Sequence, residues 1–240
     1  MKTSNKIILA TFLTPLVILT ALNLTLYAKY KSGNYTDMKS IAENRYTSTL
    51  LKKTTYVSVY GLTNFHIIPS DTLKLEIEKS SHSYLHHSET GDSLIIHGDS
   101  LVTEADGSPR SMRSNEAVNL YIPSAVTIAV TNSEIELHGS KDSTRPVSYH
   151  FLLSSSNFTI AENHYNDSGH LYFNQLTIEA SKSSETELSA YTRVADLKLM
   201  LHESVFADNG AFINRLVIQA DNLSGISLKG DNLNKITPVK

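Results

Sequence analysis

The sequence predicts an all-β fold, a parallel β-helix or solenoid, preceded by an N-terminal transmembrane helix. Three observations carry that prediction. Apolar and polar residues alternate from Tyr56 onward, an L-x-[IL]-x-[AL] phrase starts at Leu176, Leu197 and Leu216, and Ile7 to Ala28 lacks any charged side chain.

The segment "IILATFLTPLVILTALNLTLYA", residues 7–28, follows a short head at 1–6. As a helix it reaches about 33 Å at roughly 1.5 Å per residue, close to the hydrocarbon thickness of a bilayer. Pro15, Asn23 and the threonines are tolerated in spanning helices. A cleaved signal peptide and a buried core helix are the alternatives, although Leu26 stands where a signal peptidase wants a small residue. Lys2 and Lys6 on one side nearly balance Lys29 and Lys31 on the other. The acid-free head favours an N-in anchor, with the remaining chain facing the periplasm or cell exterior. Residues 29–54 read as a juxtamembrane linker, with a helical turn or two around Met38 to Arg45.

Residues 55–240 read as the β domain. "YVSVYG" alternates Val57 and Val59, "DTLKLEIEK" alternates Leu73, Leu75 and Ile77, and "DSLIIHG" places Leu94 and Ile96. "AVNLYIPSAVTIAV" continues with Val118, Leu120, Ile122, Val126, Ile128 and Val130, and "SEIELHG" with Ile135 and Leu137. Period two marks half-buried strands. Thr103 to Glu116 is a polar loop. The return of "LTIEA", "LKLML" and "LVIQA" after about 20 residues marks stacked rungs, each burying its inward side chains against the next. Shorter pairs lie between these phrases: Leu188 with Ala190, Val205 with Ala207, and Ile226 with Leu228. Asp208-Asn209, Asp221-Asn222 and Asp231-Asn232 are expected at the corners, where such residues tolerate left-handed backbone. A β-sandwich is the alternative architecture.

Composition narrows the function classes. A net charge of −3 spread over 240 residues gives no basic surface for nucleic acid. With no cysteine, there is no disulfide framework, thiolate zinc site or cysteine nucleophile. Packing alone has to hold the domain.

The phrases "VSVYGLTNFHIIPSDTLKLEIE" (Val57–Glu78), "VNLYIPSAVTIAVTNSEIELHG" (Val118–Gly139), "LTIEASKSS" and "LVIQADNLSGISLKG" resemble the head-GIN domain family, described as autotransporter adhesin head domains. The resemblance covers roughly residues 55 to 238. "ASKSSETELSA" lacks the family's turn glycines and "HHSETG" replaces a smoother loop, which bears on rung number and register. The resemblance implies a right-handed β-helix in a cell-envelope protein without an established activity. It carries over no catalytic residue.

Chemical constellations are sparse. His82, His86 and His87 in "SHSYLHH" have metal-binding side chains, but between two strands their spacing loses its helical meaning, and solvated loop histidines are the default. Glu185, Glu187, Asp208, Asp221 and Asp231 would line one groove of a solenoid, and hydrolysis would need two of them held across a scissile glycosidic bond. Corner-holding carboxylates are the simpler account. Asp-Ser/Thr triplets at Thr72, Ser93, Ser100 and Ser143 resemble O-glycan acceptors of exported proteins, though turns before strands generate the same triplet. Tyr149, Tyr165, Tyr172 and Tyr191 would offer rings for sugars to stack on. The reading is therefore a membrane-anchored envelope protein with a non-catalytic, adhesin-like or structural role. No catalytic, cofactor-binding or metal-ligating residue is assigned. Its partners would be the membrane through 7–28 and an envelope glycan or protein. The alternative is a carbohydrate-active hydrolase or lyase on the same scaffold.

Overall fold

The computed structural model describes residues 3–33, 45–79, 85–98, 101–103, 109–111, 118–160 and 169–235. It divides into two compact units, Met1–Arg45 and Tyr46–Lys240. The expected helical turn before Arg45 lies outside the described residues, as do His82, Ser100 and Tyr165.

In the first unit, helix α1 runs Thr3–Lys31. Its polar side chains turn back on their own backbone: Thr20, Asn23 and Thr25 donate to the carbonyls of Leu16, Leu19 and Ala21 at 2.8, 3.0 and 2.8 Å. Its apolar side chains, among them Leu16, Val17, Leu19, Leu24 and Leu26, are exposed, unlike those of a buried core helix. Among the described residues no helix is long and apolar enough to cross a membrane. The segment expected at 7–28 to be a transmembrane helix is thus helical within α1 but is not identified as a span.

The second unit is all-β. Its first strands are β1 (Tyr46–Leu50), β2 (Tyr56–Tyr60), β3 (Phe65–Pro69), β4 (Lys74–Glu78), β5 (Leu85–Thr90), β6 (Ser93–Gly98), β7 (Leu101–Thr103), β8 (Pro109–Ser111) and β9 (Val118–Ile122). Then follow β10 (Val126–Thr131), β11 (Glu134–Leu137), β12 (Val147–Ser154), β13 (Asn157–Ile160), β14 (Leu171–Ser181), β15 (Glu185–Leu188), β16 (Thr192–His202), β17 (Val205–Asp208), β18 (Phe212–Ala220) and β19 (Gly225–Ser227). Strand β1 falls inside the stretch expected to be linker, and β8, within the expected polar loop, pairs with β7 at that loop's start.

Among the described residues two large mixed sheets form. Sheet A has nine strands in the order β1-β4-β9-β3-β11-β13-β15-β17-β19, and sheet B has eight in the order β18-β16-β14-β12-β10-β2-β6-β5. From β10 onward the chain alternates between the sheets; β10 and β11 add in parallel to β2 and β3, and from β12 each strand pairs in parallel with the one two places earlier. Before β10 the order is different. Strands β1, β4 and β5 pair antiparallel, while β2 and β3 are each enclosed between an earlier-region strand and a later one. The all-β expectation holds in this form, two mixed sheets.

Strand alternation places the core. Ile128, Phe151, Ile178 and Leu199 are mutual register partners across sheet B and are all buried. Phe65, Ile135 and Phe158 form the corresponding row in sheet A. Phe151 and Phe158 meet edge-on, with centroids 4.7 Å apart. In β17 the expected inward pair is displaced by one residue: Phe206 and Asp208 are buried, while Val205 is 47% exposed. The one-residue shift inverts every side chain of the strand.

The turns from sheet B to sheet A share a device that the residue pattern did not reveal. Asn132, Ser155, Ser183 and Glu203 take positive φ, and each is followed by a buried serine, Ser133, Ser156, Ser184 or Ser204. Ser133 Oγ accepts from Leu62 N, Ser156 Oγ from Ser133 N, and Ser184 Oγ from Ser156 N, at 3.1 to 3.2 Å. Each of these hydroxyls also donates to a backbone carbonyl of its own turn. A column of serines thus satisfies buried amides that would otherwise lack partners. Backbone left-handedness here rests on polar side chains, which explains how so few glycines suffice. Gly139 is needed for a different reason, since a Cβ there would lie 2.7 Å from Leu171 Cβ and 2.8 Å from the Phe173 ring.

Candidate functional site

Of the five carboxylates that the sequence offers for catalysis, Asp208 and Asp221 hold corners, as the simpler account expects. Asp208 is buried and accepts from the amides of Gly210, Ala211 and Lys229 and from Asn232 Nδ2. Asp221 accepts from Glu203 N, Leu223 N and Ser224 Oγ and pairs with His202. The Ser224 hydroxyl leads these donors in holding its carboxyl below the usual carboxylate range. Glu187 bonds Asn209, Glu185 is exposed on β15, and Asp231 opens a 3₁₀ turn, Gly230–Lys235. A carboxylate with four such partners inside a turn, as Asp208 and Asp221 have, is poorly placed to attack or protonate a substrate.

Other candidates separate similarly. Tyr149, expected to be exposed, is buried: its hydroxyl donates to the Ile122 carbonyl at 3.2 Å, and burial pushes its pKa above the ordinary tyrosine range. Tyr172 is half-buried and Tyr191 exposed. His86 and His87 are neighbours on β5, so their side chains leave opposite faces of the strand. Thr72 and Ser143 are exposed in turns, and Ser93 is half-buried at the start of β6.

The outer face of sheet B carries a groove of about 620 Å³. In-register side chains Ala129, Leu152, Glu179, Met200 and Gln219 cross its floor from β10 to β18. The turn residues Thr131, Ser154, Ser181, His202 and Asp221 line its edge. Beside it His150 Nε2 pairs with Glu179 Oε1 at 2.8 Å. The groove is open and shallow, its floor apolar at Ala129, Leu152 and Met200 and polar at Glu179 and Gln219. Its length follows from parallel register, because each strand contributes one side chain at the same level.

The outer face of sheet A brings together three groups that the sequence did not single out. His66 on β3 is the direct cross-strand partner of Glu136 on β11, and His138 follows Glu136 by two residues on the same face. His66 Nδ1 lies 3.4 Å from Glu136 Oε2 and 3.4 Å from His138 Nε2, and His138 Nε2 lies 3.8 Å from Glu136 Oε1. Asn64 Oδ1 stands 2.9 Å from His66 Nε2. Burial lowers the His138 pKa below the ordinary histidine value; Glu136 opposes that shift, while His66 and Lys141 add to it. The only sequence signal for the cluster is period-two spacing, Asn64-x-His66 and Glu136-x-His138.

No family model and no curated protein matches the chain. The head-GIN likeness therefore rests on the phrases quoted above. Among solved structures it is similar to a Parabacteroides distasonis protein provisionally named as lipid-binding, at 12% identity over 81% of this chain and 96% of that one, with a TM-score of 0.34. A provisionally named adhesin of Parabacteroides merdae is 11% identical over 77% of this chain and 95% of that one, with a TM-score of 0.32. A provisionally named cell adhesion protein of Clostridium sporogenes is 10% identical over 77% and 99%, with a TM-score of 0.28. At such scores no property of these proteins carries over to this chain.

Proposed function

We propose that the chain is a non-catalytic binding protein of a cell envelope, a right-handed β-solenoid head whose broad outer faces engage an extended partner. The observation that carries this reading is the open groove on sheet B, built from one side chain per strand across five parallel strands. An extended ligand matches such a repeating floor better than a small substrate, which needs a concave pocket that buries most of its surface. The regular alternation from β10 to β19 supports the solenoid, and parallel crossovers within a sheet are overwhelmingly right-handed. Engagement of Asp208 and Asp221 as corner residues speaks against a hydrolase using them.

Helix α1 supports attachment to a membrane, since its exposed apolar side chains surround the helix rather than forming one stripe, which suits contact with lipid on all sides. Purified full chain mixed with fractionated envelope polysaccharides, with envelope protein extract and with lipid vesicles tests the whole proposal. Depletion of the protein by one envelope fraction, co-flotation with vesicles and no release of reducing ends are expected. Met200→Glu should abolish the depletion and leave flotation intact. New reducing ends, or depletion indifferent to Met200→Glu, would overturn the binding reading.

A further inference from the structure

We propose that His66, Glu136 and His138 form a binding site for a divalent first-row transition ion, with zinc as the fitting case. Donor atoms about 2.0 to 2.1 Å from a tetrahedral zinc ion stand roughly 3.3 to 3.4 Å from one another. The two ring nitrogens here, His66 Nδ1 and His138 Nε2, stand 3.4 Å apart. The Glu136 carboxylate comes within 3.4 Å of the first through Oε2 and 3.8 Å of the second through Oε1, with one donor atom from each residue lying within 4.8 Å of the others. Two imidazoles and a carboxylate suit zinc and its neighbours in the series, whereas calcium and magnesium prefer all-oxygen shells.

The hydrogen bonding around His66 points the same way. Asn64 Oδ1 is an acceptor, so His66 Nε2 carries the ring proton and donates to it. That leaves a lone pair on Nδ1 facing the Glu136 carboxylate, two electron-rich groups at 3.4 Å. A proton on His138 Nε2 relieves one contact of the three; a cation at the centre relieves all of them. Fixing a ligand ring through its second nitrogen is the usual outer-shell arrangement of a metal-bound histidine. The side chains of His66, Glu136 and His138 are 20%, 33% and 37% exposed, so an ion has an entry path and a fourth position open to water. Rigid positioning comes from the sheet. His66 and Glu136 sit on hydrogen-bonded strands, and His138 N donates to the Ile67 carbonyl at 2.8 Å. The site lies on the opposite sheet from the proposed groove, so either proposal stands or falls alone.

Metal-stripped full chain titrated calorimetrically with zinc chloride tests the site, with cobalt chloride as a spectroscopic probe of tetrahedral nitrogen and oxygen ligation. About one ion per chain is expected, with affinity lost on His66→Ala or His138→Ala and lowered at least roughly tenfold on Asn64→Ala. His150→Ala should bind as the native chain does. Far-ultraviolet circular dichroism identifies any variant that fails to fold, and the near-isosteric substitution Glu136→Gln, of a half-exposed side chain, then serves in its place. No heat up to millimolar zinc overturns the proposal, as does undiminished binding by a folded His66→Ala, His138→Ala double variant.

Discussion

From Val126 to Ser227 each strand takes the next outward place in its sheet, while from Tyr46 to Ile122 strands reverse direction and later ones pair inside earlier ones. The two regions share their sheets and their period-two core, so alternation alone does not separate them. Their turns do. The later region repeats a left-handed residue followed by a buried serine, and each serine is hydrogen-bonded to the level beside it. In the earlier region the β5–β6 hairpin turns through Gly91 and Asp92, a two-residue connection that fixes antiparallel neighbours. Turn chemistry, then, decides whether a strand returns beside its predecessor or crosses to the other sheet.

The ends of the stack differ accordingly. Beyond β17, the 3₁₀ turn brings Asn232 Nδ2 to Asp208 and to the Ala211 carbonyl, and Lys235 Nζ to the Ile213 carbonyl. Capping groups of this kind close a stack against further pairing. At the other end of sheet B, β5 presents exposed His86, His87 and Glu89.

The largest expected effect tests whether the two regions unfold as one. Phe158→Ala removes a fully buried ring and should cost about 3 to 5 kcal/mol, measured by denaturant titration. Phe65→Ala, its register counterpart in the earlier region, should cost the same if cooperation extends across both sheets. Two separate transitions, with Phe65→Ala moving just one, would turn the topological boundary into a thermodynamic one.

A smaller effect sharpens the role of the serine column. Ser156→Ala leaves the buried Ser133 amide without its acceptor and should cost about 1 to 3 kcal/mol. Ser70→Ala, in an exposed turn of the earlier region, should stay within about 0.5 kcal/mol. Equal effects would sink the distinction between the two kinds of turn.

The smallest effect is pH-dependent. The Asp221 carboxyl, held below its ordinary pKa chiefly by Ser224, stabilises the folded chain above about pH 4, and that contribution is lost as pH falls through the lowered value. Asp221→Asn should therefore lower the melting temperature at neutral pH and have less effect in strong acid. A deficit that persists unchanged at low pH would mean the charge of Asp221 is irrelevant.

What the sequence determined by itself was local. Val57, Ile128, Leu176 and Leu199 are inward because side chains two residues apart leave the same face of a strand, a property that needs no knowledge of the partner. The corner roles of Asp208 and Asp221 were legible for the same reason, since an aspartate bonds amides two or three residues onward. The burial of Tyr149 and the inverted phase of β17 were not legible. Both depend on which strand lies opposite, and Asp208 can turn inward only because Lys229 and Asn232 come back to meet it. The His66, Glu136 and His138 cluster was decided by tertiary structure alone, since 72 residues separate its two imidazoles in the chain and 3.4 Å separate them in space. A strand's faces are set by its own backbone, whereas its neighbours are set by the packing and turns of the whole sheet.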